Sequence, residues 1–209
     1  TDYSDASGTA YFNVHESGWS NDLLDRLNIS PTILPPVFES HSVRGVLRED
    51  LAKALGWNNT LIVSGGADNA VAAYGIGISK PGDTMVSIGT SGTVLTATQK
   101  GEPDFDGKIH FFHHVLSGQK YYMGVMLSAA HSLNWFLKAF DIRWTFEVLE
   151  KKISQIKPGA GGLLFLPYLN GERTPLRDPN ARGVLFGISS KTTAEEVIRA
   201  VIEGVTFGL

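Results

Sequence analysis

A strand that runs into two glycines and then into an alanine-rich stretch does most to limit what this chain can become. Residues 61–77 read LIVSGGADNAVAAYGIG. Leu61 to Ser64 have the apolar character of a short buried strand, and Gly65-Gly66 make a turn. Ala67, Asp68 and Asn69 then open a helical run that closes at Gly75 and Gly77. Passing from a strand through glycines into a helix is how α/β proteins deliver a side chain to the carboxyl edge of a sheet. The side chain delivered here is Asp68. A carboxylate at that point suits the positive end of the helix dipole. On these residues alone it is either a plain helix cap or a functional group.

The rest of the chain suits the same layered class. Its 209 residues suffice for one large domain or two small ones, and 43% hydrophobic with 19% charged residues is ordinary globular composition. Net charge is -3 and no Lys/Arg block occurs, which gives no support to a nucleic-acid or anionic-membrane partner. No apolar run is long enough to span a bilayer. The absence of cysteine excludes disulfides and thiolate metal sites and suits a reducing compartment such as the cytoplasm. Both ends read as cut, so the chain is expected to be part of a longer protein.

Taken in order, residues 5–14 alternate as a strand would. Ser20 heads a capped amphipathic helix with Leu23, Leu24 and Leu27, and Pro31, Pro35 and Pro36 impose an extended connector. A second short helix carries Leu51, Ala54 and Leu55 and stops at Gly56, ahead of the strand that leads to Asp68. Lys80-Pro81-Gly82-Asp83 is a turn cluster, and a boundary there separates residues 1–80 from 81–209. Helices alternating with strands argue for an α/β architecture.

After that turn, Met85–Ile88 and Val94–Thr98 read as two strands around Gly89-Thr90-Ser91-Gly92-Thr93. Such a hairpin can aim successive N–H groups and hydroxyls at an anion. It lacks the lysine of a P-loop, and a plain hairpin turn remains the alternative. His110, His113 and His114 lack the spacing of a metal site, and zinc is rejected. Tyr121–Leu127 reads as a strand, and Ser128-Ala129-Ala130 opens a helix with a small first turn. Residues 145–156 form another helix and Leu163–Leu166 a buried strand. A long polar loop follows, with Glu172, Arg173, Pro175 and Pro179; a loop of that length is more often functional than filler. Thr192 and Glu195 have the spacing of a capping box for the last helix, whose core face carries Val197, Ile198, Val201, Ile202 and Val205.

Together these stretches resemble the FGGY family of carbohydrate kinases. TDYSDASGT, SGGADNAVAAYGIG, SIGTSGT and FLPYLNGERTP with DPNARGVLFGISSKTTAEEVIRAVIE carry the likeness from end to end. The resemblance implies an actin-like (ribonuclease H-like) ATPase fold, with this chain holding the last part of a first domain and the first part of a second. It implies ATP-dependent phosphorylation of a sugar hydroxyl, D-xylulose before gluconate, glycerol or another polyol. It makes Asp68 the catalytic base and Asn69 a sugar contact. Gly89, Thr90 and Ser91 become phosphate contacts of ATP, and Ala130 and Asn134 line the nucleotide site. Glu172 and Arg173 belong to the motif without an assigned role. ATP with Mg2+ is the implied cofactor set; the metal-binding aspartate, the adenine-binding segment and part of the sugar pocket are expected outside these residues. The isolated piece is then expected to be inactive, or a non-catalytic binding fragment. Oligomeric state stays open, a homodimer included.

Overall fold

The structure, a computed structural model, describes residues 1–101 and 105–209. The chain divides into two units. The first takes Thr1–Met85, a stretch beginning at Leu95, and His110–Met123; the second takes Val86–Val94, Phe105–Ile109 and Gly124–Leu209.

The first unit opens with a helix, not the strand expected over residues 5–14. Asp2 accepts hydrogen bonds from the N–H groups of Ser4 and Asp5, which starts helix α1 (Tyr3–Ala6). Ala10 then sits at a φ of 65°, which breaks any extended run. What remains of strand is β1 (Phe12–Asn13), paired antiparallel with β2 (Gly18–Trp19). Helix α2 (Asn21–Leu27) is capped by Ser20 and ends at the left-handed Asn28. The proline connector is less extended than its composition implies, because Pro31 begins a short 3-10 turn over Pro31–Ile33.

Strand β3 (Val43–Val46) pairs antiparallel with β4 (Leu61–Val63), and helix α3 (Glu49–Leu55) lies between them in sequence and stops at Gly56. The strand at Leu61 forms as expected, but it is not buried: Leu61, Ile62 and Val63 are 57%, 44% and 52% exposed. Among the described residues β4 pairs with β3 alone, and β3 is itself exposed along its length. Helix α4 (Asp68–Gly75) follows and buries Ala70 and Ala73.

A four-stranded sheet has the order β5–β6–β8–β7, from β5 (Thr84–Ile88), β6 (Gly92–Thr98), β7 (His110–His113) and β8 (Lys120–Met126). Along β8, Tyr121, Met123 and Val125 are buried in alternation. Across the β7–β8 ladder, Phe111 faces Tyr122 with ring centres 4.9 Å apart. The aromatic pairing holds this edge in register.

In the second unit, helices α5 (Ala130–Ala139), α6 (Phe146–Ile153) and α7 (Ala194–Gly208) share one core with β9 (Leu164–Leu166). Phe136, Leu149, Ile153, Phe165, Ile198 and Val201 are among its buried members. β9 pairs with β10 (Val184–Phe186), a strand that composition did not mark, and buries Phe165 while Leu164 and Leu166, on its other face, are exposed. Gly204 lets α7 reach β9, since a Cβ there would collide with the carbonyl of Phe165. The capping box of α7 lies one residue past the expected pair. Thr193 accepts from the N–H of Glu196, whose carboxylate accepts from the N–H of Thr193. Thr192 is engaged instead with the N–H of Ser189, and Glu195 with the ammonium of Lys152 at 2.6 Å.

Candidate active site

Asp68 is the first residue of α4, and Ala67 before it offers no side-chain cap. The carboxylate is exposed, and among the described residues its hydrogen bonds fall on Oδ1 alone. Oδ1 accepts from the N–H of Asn69 at 2.6 Å and from Asn69 Nδ2 at 3.1 Å. Asp68 is therefore not a cap in the ordinary sense, since Oδ1 is engaged by its own neighbour and Oδ2 takes no hydrogen bond among the described residues. Asn69, expected at the sugar, holds the aspartate's orientation; one amide hydrogen and its Oδ1 stay available for a hydroxyl.

The approach to Asp68 is built from parts distant in sequence. Gly65 takes a φ of 78°, a conformation that disfavours side chains. Gly66 is packed so closely that a Cβ would lie 2.6 Å from Val115 Cγ1 and 3.2 Å from Ser4 Oγ. The N–H of Ala67 donates to Ser4 Oγ at 2.9 Å, and Ser4 Oγ donates to Asp2 Oδ2 at 2.5 Å. Tyr121 is buried within the same unit. Burial, and then the nearby carboxylates of Asp68 and Asp2, push its hydroxyl well above its ordinary range. A cavity of about 470 Å³ lies beside the turn, walled by Gly65, Gly66, Val71, Tyr74, Val115 and Leu116 among others. Asp68 is not part of that wall, so the cavity is not where a group reacting with its carboxylate would sit.

The second set of expected residues lies in the other unit. Gly89, Thr90 and Ser91 form the exposed turn between β5 and β6, closed by the N–H of Gly89 donating to the carbonyl of Ser91 at 2.9 Å. The turn is tied to the start of α5, which also lacks a side-chain cap. Ala129 and His131 donate their N–H groups to the carbonyl of Thr90, and Ala130 donates to the carbonyl of Gly89. These amides are the ones a helix N-terminus would offer to an anion, and here they hold the hairpin. The open first turn expected for a ligand at residues 128–130 is thus occupied by the protein's own carbonyls. Donors left for an anion are the hydroxyls of Thr90 and Ser91 and the amides at the tip. Ala130 is half-buried beneath the turn, and Asn134 is exposed one turn further along α5. Gly92 is buried, and a Cβ on it would meet Leu209 at 2.7 Å and Ala129 at 3.2 Å.

Glu172 gains a clear contact set that its sequence context did not disclose. It is 3% exposed, and its Oε1 accepts from the N–H of Leu127 at 3.1 Å and of Arg173 at 2.7 Å. Beside it, Val125 and Thr174 exchange two bonds, Val125 N–H to Thr174 Oγ1 and Thr174 N–H to the Val125 carbonyl. The polar loop is thereby fastened to the segment that leads from β8 into α5. The Arg173 side chain is exposed.

Among the described residues no cluster of three or more His, Cys, Asp or Glu could hold a metal ion. His113 lies instead within a packed environment, with Nε2 3.1 Å from the Val14 carbonyl and 3.2 Å from Ser17 Oγ. Nor is any helix among them long and apolar enough to cross a membrane. Reading the sequence missed Asp2 and Ser4 as parts of this site. Asp2 followed three residues later by Asp5 has the spacing of a helix start, and that signal would have revealed α1.

Comparison with known proteins now decides the family. Residues 84–209 match the C-terminal domain, and residues 1–75 the N-terminal domain, of the FGGY family of carbohydrate kinases. The chain belongs to this family. All of it aligns with the xylulose kinase of Bacillus subtilis (strain 168) at 44% identity over 210 residues, covering 42% of that relative. Among solved structures, a ligand-bound xylulose kinase from Lactobacillus acidophilus superposes with a TM-score of 0.92 at 28% identity, over 100% of this chain and 42% of that one. A gluconate kinase from the same organism superposes with a TM-score of 0.92 at 29% identity, over 100% of this chain and 43% of that one. The fold class is the actin-like (ribonuclease H-like) ATPase fold of these kinases. The chain thus spans less than half the length of the relatives it matches.

Proposed function

We propose that the full-length protein carrying this chain transfers the γ-phosphoryl group of ATP to a hydroxyl of D-xylulose. Residues 1–80 would belong to the first family domain and residues 81–209 to the second, in keeping with the matched segments 1–75 and 84–209. The observation that carries the reading is Asp68: an exposed carboxylate at the start of α4, with Oδ1 occupied by Asn69 and Oδ2 unengaged among the described residues. In the reaction the sugar oxygen bonds to the γ-phosphorus as the bridging oxygen leaves with ADP, and the hydroxyl proton passes to Asp68. Because this proton leaves late in a loose transition state, Asp68 mainly orients the nucleophile before accepting it.

Asn69 fixes the base and offers its remaining amide hydrogen to the sugar. On the nucleotide side, Thr90 and Ser91 supply tip amides and hydroxyls to phosphate oxygens, Gly89 shapes the turn that presents them, and Ala130 and Asn134 border the nucleotide. Neutral donors of this kind fit phosphate oxygens and not a bare divalent cation. Mg2+ would accordingly be held by the phosphates and by groups beyond these residues, and when bound it neutralises charge on the transferring group. A cytoplasmic location suits an ATP-consuming enzyme, and the lack of cysteine in these 209 residues is in keeping with it.

A panel of D-xylulose, gluconate, glycerol and related polyols, each assayed for ATP-dependent phosphorylation, tests the acceptor. The equal TM-scores of the xylulose and gluconate kinases keep gluconate as the second reading. The higher sequence identity to a xylulose kinase favours xylulose. A preference for gluconate in the panel would overturn the acceptor and leave the kinase reaction standing.

A further inference from the structure

The proposed reaction depends on where the Asp68 carboxylate sits, yet α4 has no side-chain cap to fix its first turn. The fixing comes from the turn before it. Ala67 donates its N–H to Ser4 Oγ at 2.9 Å, which directs the Ser4 proton to Asp2 Oδ2 at 2.5 Å. The same carboxylate oxygen accepts from Ser40 Oγ at 2.6 Å, and the Ser40 carbonyl accepts the N–H of Gly65 at 3.0 Å. Asp2, Ser4 and Ser40 are 3%, 2% and 9% exposed. Burying three polar side chains together is costly unless each is bonded. To start a helix of four residues, Asp2 needs only the two backbone N–H groups it already accepts. The two serines do something else: the Ser4 hydroxyl holds the N–H of Ala67, and Ser40, fixed to Asp2 by its hydroxyl, holds the N–H of Gly65 with its carbonyl.

We propose that Asp2 is a positioning residue for Asp68, acting through Ser4 and Ser40 to clamp the turn that delivers the catalytic carboxylate. The inference rests on the base role of Asp68. Hydrogen bonds to a carboxylate are shorter and stiffer than neutral ones, so the clamp holds the turn to a narrow range of positions. Gly66 lies against Ser4 with no space for a side chain, which leaves the turn no slack on that side. A misplacement of about 1 Å at a reacting group costs roughly 100-fold in rate. That makes the clamp worth its burial.

The test uses the full-length enzyme. Ser4→Ala cuts the link to Ala67 and spares the Ser40 arm; it should lower kcat about tenfold or more while KM for ATP stays within about twofold. The deciding measurement is the cycle of Ser4→Ala, Asp68→Asn and the double variant. If Ser4 acts through Asp68, adding Ser4→Ala to Asp68→Asn lowers kcat no further. Losses that multiply make Ser4 a general structural contact and overturn the inference. An unchanged kcat in Ser4→Ala, beside a collapsed kcat in Asp68→Asn, also overturns it and leaves the base role intact. Ordinary turnover in Asp68→Asn removes the base role, and the inference with it. Should Ser4→Ala fail to fold, Ser40→Ala carries the same cycle on the other arm.

Discussion

Helices α4 and α5 begin in the same unusual way and are secured differently. Each starts behind an alanine that provides no side-chain cap, as α3 does behind Arg48, whereas α1, α2, α6 and α7 start behind Asp2, Ser20, Thr145 and Thr193, which all cap. Each instead depends on a buried carboxylate from far along the chain. Asp2 reaches α4 through the Ser4 hydroxyl, and Glu172 reaches the lead into α5 by accepting the N–H of Leu127 directly. The first arrangement leaves a charged side chain, Asp68, at the helix start. The second leaves no acidic residue there and ties the helix amides to a hairpin. A capped helix start is satisfied locally. These two are held from a distance: at α4 lies the expected proton acceptor, and at α5 the first-turn amides fasten the hairpin that carries the expected phosphate contacts.

The contrast is broken most sharply at Asp68. Asp68→Asn keeps the shape and removes the proton acceptor, so kcat should fall about 10²- to 10⁴-fold while KM for ATP changes little. Steady-state kinetics on the full-length enzyme checks this, and ordinary turnover would reduce α4 to a structural helix. Glu172→Leu is the matching change at α5. It leaves the part-buried N–H groups of Leu127 and Arg173 without their charged acceptor, at a cost of about 2 kcal/mol in stability. Chemical denaturation measures that cost. If Glu172 serves the nucleotide side, KM for ATP should rise in this variant more than kcat falls; the reverse pattern would erase the difference between the two starts.

Much of this was readable beforehand, and the exceptions share a cause. The helix at Asp68, the hairpin at residues 89–91 and the long final helix follow from local pattern: glycine placement, apolar periodicity and capping residues. The exposed β4 was misread because Leu61, Ile62 and Val63 have the composition of a buried strand, and composition cannot count a strand's neighbours. The stretch over residues 5–14 alternated by chance, and the cap at Asp2 outweighed it. The contacts of Asp2, Ser4 and Glu172 stayed hidden because their partners lie 38, 63 and 45 positions away. Local spacing carries no trace of such bonds.

A milder probe separates the hairpin's hydroxyl from its backbone. Thr90→Val preserves shape and β propensity, and the carbonyl that accepts from Ala129 and His131 is untouched. The start of α5 should therefore keep its stability. Losing one hydroxyl donor to a phosphate oxygen should weaken KM for ATP or kcat about tenfold. Unchanged ATP kinetics would show the hairpin to be a fastening for α5 and nothing more.

The smallest expected effect concerns pH and falls on the first unit alone. Burial holds the imidazoles of His113 and His114 below their ordinary value of 6.5. For His113 the ammonium of Lys120 adds to this, while the bond to Val14 and the carboxylates of Glu39 and Asp2 oppose it. His114 Nδ1 accepts the N–H of Leu116 at 3.1 Å, so a proton there would set two donors against each other. Groups with lowered folded values bind protons more readily once unfolded. Their stabilising contribution is fully present above pH 6.5 and is lost as the pH falls through the folded values. Thermal melts should be flat between about pH 7 and 8 and lose a few degrees below about pH 6.5. Replacing both residues, as His113→Gln with His114→Gln, should flatten that slope while leaving the pH dependence of the α5 side as it was. A slope that survives the double replacement would move the titration to other groups and remove this difference between the two units.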